Sequence, residues 1–212
     1  MLFSVLRHIN VWWLGGLPKI WDEDRSSILG ALQADAGQNG QLVKNPLLVL
    51  PDDKLVNDGS SARFVAGGMD GVTSHHVRPQ DNKAAVDDIM SCLRRLLDDP
   101  GKSNAQAFHE AINRRDLLQV IDEVLRQIRS DPAIKQSKLN AVADCVLNAR
   151  DRQPLKFALA LAQLNRDVPV LRDFIKLIAS HEEFTLYGAR ALYANSPDPV
   201  VEVWDLARHL NG

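Results

Sequence analysis

The chain has 212 residues, 45% of them apolar and 25% charged, with a formal net charge of −2. That is the balance of a soluble globular protein long enough to bury a core, and it lacks the basic excess of a general nucleic-acid binder. The apolar stretch Met1–Ile20 is broken by Arg7, His8, Gly15 and Gly16, so it is shorter than the roughly 20 residues of a membrane span and lacks the layout of a signal peptide.

The composition shifts near residue 83. Residues 1–83 hold nine of the 12 glycines and three of the four tryptophans. They read as an irregular, partly helical cap region. Within it, Asp24–Ala36 is predicted to be a short helix with Ile28, Leu29 and Leu32 on its apolar face, broken by Gly37, Asn39 and Gly40. Leu47–Leu50, bracketed by Pro46 and Pro51, reads as an extended segment or a buried connector, and Asp52–Asp58 as a turn followed by a half-turn of helix. The segment from Asp58 to Gly71 is glycine-rich, with a small apolar island, Ala62–Ala66, that fits a helix or a strand.

Residues 84–212 read as about eight short antiparallel helices, so the fold class is all-α. Pro132, Pro154, Pro169 and Pro199 are taken as helix starts, where the amide that proline lacks would be unpaired in any case. Val86, Ile89, Met90, Leu93 and Leu97 make the first stripe. Ser103 with Gln106, and Asp116 with Gln119, have capping-box spacing before the next two. Leu139, Val142, Ala143, Val146 and Leu147 follow. Leu155–Leu164 is apolar nearly all round, the profile of a helix buried on most sides. Leu171, Phe174, Ile175 and Ile178 form the next face, then Phe184, Tyr187, Ala191 and Leu192. Val200, Val203, Trp204, Ala207 and Leu210 are expected to face inward from the last helix. Cys92 and Cys145 fall inside predicted helices and read as small buried apolar groups in a reducing, cytoplasmic setting.

Taken two at a time, the helices begin near residues 85, 116, 154 and 184, a period in the range of helical-pair arrays. Over about 130 residues this period and apolar pattern resemble HEAT-type repeats. The resemblance implies stacked helical pairs presenting an extended surface to protein partners. A compact helical bundle fits the same pattern.

Candidate chemistry is sparse. Asp70, His75 and His76 combine ligand types that a divalent metal accepts, with Asp58, Asp81 and His109 as completions; their spacing is neither H-E-x-x-H nor C-x-x-C. The alternative for these residues is a solvated loop. Gly67-Gly68 and Gly71 match no phosphate-loop pattern, no serine sits in a G-x-S-x-G setting, and no cofactor is implied. His181-Glu182-Glu183 marks a helix end, where the imidazole is expected to favour terminal carbonyls. Candidate partner-binding residues are Trp12 and Trp13, which also suit a cap on the helical array, and the paired arginines Arg94, Arg95, Arg114 and Arg115. Two functions are therefore expected. One is a protein-interaction or scaffold module, part of a larger complex. The other is an enzyme or ligand-binding protein using the Asp58–His76 loop, with a metal as its cofactor if one is present.

Overall fold

The computed structural model describes residues 26–39, 48–53, 82–114, 116–164 and 169–208. Among them are nine α-helices and no strand: α1 (Ile28–Asn39), α2 (Lys83–Asp98), α3 (Lys102–Asn113), α4 (Ile121–Ser130), α5 (Gln136–Leu147), α6 (Arg152–Ala162), α7 (Pro169–Ala179), α8 (Glu182–Asn195) and α9 (Pro199–Arg208). The expected all-α class is what the chain adopts. Eight of the nine lie in the region where eight were expected.

The apolar stripes explain why the helices pack as they do. Val86, Ile89, Met90 and Leu93 of α2 are buried, as are Ile121, Val124, Leu125 and Ile128 of α4. Stripes spaced at three and four residues present one continuous face, and burying it supplies the main driving force for docking. At the centre runs α6, which meets α3, α4, α5 and α8. From Pro154 to Ala162 every residue of α6 is buried. Phe157 packs edge-on against Phe108 of α3, ring centroids 5.4 Å apart. Such a pair adds about 0.5–1.5 kcal/mol beyond its buried area.

Helix ends are closed by side chains from other helices. The Lys138 ammonium donates to the Leu97 carbonyl at the end of α2 (3.0 Å), and Asn195 Nδ2 donates to the Ala162 carbonyl at the end of α6 (2.6 Å). The close approach of α7 and α8 depends on Gly188: a β-carbon there would overlap the Ala179 methyl and stand 3.2 Å from its α-carbon.

Several local expectations are corrected. Pro132 starts no helix. The Asp131 carboxylate accepts from the Ala133 amide (3.0 Å) and the Asp131 carbonyl from the Ile134 amide, a turn that delays α5 to Gln136. Ser103 is the second residue of α3, which begins after Gly101 without a side-chain cap. Asp116 caps the short 3₁₀ turn Leu117–Gln119, and α4 begins beyond it. Gly37 lies within α1, which runs on to Asn39. Leu96 faces the core, with Leu97 only half-buried.

The largest correction concerns α9. Val200 and Trp204 point to solvent, with Ala207 also exposed, while Leu206 is the residue that α9 buries. The reason lies in charge. Glu202 and Asp205 face α7, where Lys176 bonds both carboxylates (2.5 and 3.1 Å) and Arg172 lies 3.8 Å from Glu202. Satisfying those partly buried acids fixes the helix rotation and turns Val200, Val201 and Trp204 outward, while Val203 packs against the core as expected. Leu210 lies outside the described residues.

Candidate functional site

Two features of the described residues stand out chemically: a buried ionic cluster where α6 begins, and an apolar outer face on α9.

The cluster starts from the turn that follows Leu50. Asp52 is almost fully buried, and its carboxylate receives three bonds from Arg152, each 2.9 Å: one from the backbone amide, one from Nε and one from Nη2. The planar guanidinium fork meets the carboxylate in the bidentate geometry that suits it. The same Nη2 reaches Asp53 at 2.6 Å, whose other oxygen accepts from the Leu50 amide (2.7 Å). On its far side, Arg152 Nη1 faces Glu183 at 3.3 Å, and Glu183 holds the Lys156 ammonium at 2.7 Å. Lys156 in turn sits 5.7 Å above the Tyr187 ring. Asp52 and Asp53 thus place negative charge at the amino-terminal end of α6, where the aligned peptide dipoles favour it.

Electrostatics in the cluster follow from burial and pairing. Burial alone would push the Arg152 guanidinium toward neutrality, but the Asp52 bond and the charges of Asp52 and Glu183 hold its pKa above the ordinary value. The Tyr187 phenol is pushed well above its usual range, chiefly because burial disfavours the anion. Its hydroxyl is buried and has no hydrogen-bond partner among the described residues. His181 precedes α8, and its Nδ1 accepts from the Glu183 amide at 3.3 Å. Burial lowers its pKa, against the opposing pull of Glu182 and Glu183. His181 therefore caps the start of α8, the opposite role from the carbonyl-facing one expected from sequence.

Three carboxylates and two cations bonded to one another make a lock between the Leu50–Asp53 segment and the α6–α8 helices. Each group is turned toward another member of the cluster. Sequence reasoning missed this cluster, although Lys156 inside an otherwise apolar helix was its visible trace.

The residues expected to carry function fare as follows. Asp58, Asp70, His75, His76, Asp81, Trp12, Trp13 and Arg115 lie outside the described residues. His109, offered as a further ligand, pairs with Asp151 just before α6, Nε2 to Oδ2 3.1 Å. Arg94 is exposed and bonded to Asp131 (3.0 Å), and Arg114 to Glu110 (2.8 Å). Arg95 is exposed and donates to the sulfur of the buried Cys92 (3.0 Å). Among the described residues, no group of three His, Cys, Asp or Glu could hold a metal ion, and no helix is long and apolar enough to cross a membrane.

The second feature is concentrated at one place. Five large apolar residues are exposed among those described, and four of them belong to the last helical pair: Tyr193 on α8, and Val200, Val201 and Trp204 on α9. Trp204 is 65% exposed and Val200 72%. Scattered single residues of this kind are unremarkable; four of the five on one helical pair are not scattered. No family model, curated protein or solved structure matches the chain.

Proposed function

We propose that this protein is an interaction or scaffold module built from helical hairpins, acting within a larger complex in the cytoplasm. The observation that carries the reading is the outer face of α9. Val200, Val201 and Trp204 stand in water on a helix already anchored through its other side to α7 and α8. Tryptophan is prominent among the residues that dominate binding energy at protein interfaces. Net charge of −2 favours protein over nucleic acid as the partner class.

The test is site-specific photo-crosslinking from position 193 or 201 in cells that express the protein naturally. The expected result is a discrete protein adduct that disappears with Trp204→Glu and persists with the distant Arg114→Glu. Adducts no more abundant than those from a control position near Arg114 would reject the proposal.

A further inference from the structure

The proposed docking face has an arrangement that points to one occupant. Along α9, Val200, Val201, Trp204 and Ala207 share the outer side, at the spacing by which one helix grips another. The inner side carries Leu206 and the acids held by Lys176. A helix anchored on one side and carrying exposed apolar residues on the other is placed to lie between two layers. The described residues supply one of them, through α7 and α8.

The outer side is also self-complementary. Trp204 lies at its middle. Asp198 stands exposed just before the helix begins, its Oδ1 accepting from the Val201 amide (3.3 Å), and Arg208 stands exposed at the end. Laid antiparallel on itself about an axis at Trp204, the helix sets Val201 against Ala207 and Val200 against the Arg208 stem. The Arg208 guanidinium then reaches Asp198, about 3 Å further along the helix axis. Opposite charges meet at both ends, and the two helix dipoles oppose. Among the described residues, the largely exposed Arg208 is engaged only by Asp205 (3.1 Å), a half-buried acid that Lys176 also holds, so its guanidinium is at hand for a second partner.

We propose that the outer face of α9 binds the same face of a second copy of this chain, antiparallel, about a two-fold axis passing near Trp204. The inference rests on the docking role assigned to this face and names its partner. The face is small. A largely exposed tryptophan offers on the order of 150 Å², so a single helix pair falls short of the roughly 800 Å² per partner of a tight complex. The dimer is accordingly weak and depends on concentration.

Sedimentation velocity of the purified full chain over a dilution series, from about 5 to about 500 μM, measures it, a range suited to a small interface. The expected result is an average mass rising from monomer toward twice that value. Trp204→Glu and, separately, Val200→Lys should weaken association at least about tenfold, while circular dichroism stays unchanged. Mild oxidation of mixed Val201→Cys and Ala207→Cys chains should give a disulfide-linked dimer, with neither variant alone nor the wild type doing so. A mass that stays monomeric throughout, association unaffected by both substitutions, or cross-linking equally strong in each single variant would overturn the pairing. If the pure chain is monomeric while Trp204-dependent adducts to another protein persist in cells, self-pairing fails and the docking role stands. If both are absent, both fail.

Discussion

Replacing Arg152 by methionine removes the one side chain that joins three buried or half-buried carboxylates. Methionine approximates the volume and flexibility of the arginine stem but donates nothing. Asp52 would keep only the backbone amide of residue 152 and lose two bonds of 2.9 Å; Asp53 would lose one of 2.6 Å, and Glu183 its 3.3 Å ion pair. The side chains of Arg152 and Asp52 are 4% and 3% exposed, so water does not screen the loss. Breaking a buried pair by removing one partner typically costs about 3–5 kcal/mol. For a protein of this size that lowers the melting temperature by about 2–4 °C per kcal/mol, or roughly 6–20 °C in all. Urea unfolding at pH 7, followed by circular dichroism, should show the midpoint fall with the slope unchanged. A double-mutant cycle with Asp52→Asn isolates the pair, and its coupling should reach about 2 kcal/mol or more, near the upper end for contacting residues. A loss below about 1 kcal/mol, or additivity in the cycle, would refute the view that Arg152 organises the cluster.

Other consequences can be checked in the same assay. Gly188→Ala should destabilise by about 1–3 kcal/mol through overpacking against Ala179, outweighing the gain of up to about 1 kcal/mol in helix propensity; Ala179→Gly in the same chain should recover part of the loss. His181 is held neutral by burial, so its pKa in the folded protein lies below its unfolded value near 6.5. The unfolded chain therefore binds the extra proton first. The stability this gives is complete above pH 6.5 and drains away as pH falls through the lowered folded value, and His181→Asn, which preserves a cap, should flatten that part of the melting-temperature profile. Tyr187 behaves inversely: its raised pKa means stability is intact below pH 10 and declines above it. Tyr187→Phe should abolish that alkaline limb and leave stability at pH 7 unchanged or slightly higher, because the buried hydroxyl makes no hydrogen bond to any described residue.

The helices were legible because their apolar residues recur at short range. Ile121, Val124, Leu125 and Ile128 define one face of α4 whatever surrounds it, and the structure buries all four. Proline gave less certain boundaries. At Pro199 and Pro169 it opens a helix, but at Asp131 the carboxylate captures the Ala133 amide, the backbone carbonyl captures that of Ile134, and a turn results. The face of α9 was misread because apolar residues alone were assigned inward. Glu202 and Asp205 have their cationic partners more than 25 residues upstream on α7, and no local pattern reveals such a pairing. The ionic cluster was hidden for the same reason. Asp52 has the look of a turn residue and Arg152 that of a charged residue before a proline. Only folding brings them together.

That separation has a kinetic consequence. Asp52 and Arg152 stand 100 positions apart in sequence, and closing so long a loop costs entropy before any bond is gained. Hairpins such as α7–α8, whose contacts are local, can form early, and the acidic turn should seat itself after the main barrier. Weakening this clasp would then leave the refolding rate nearly unchanged and hasten unfolding, so that the cluster governs how long the native state lasts more than how fast it is reached.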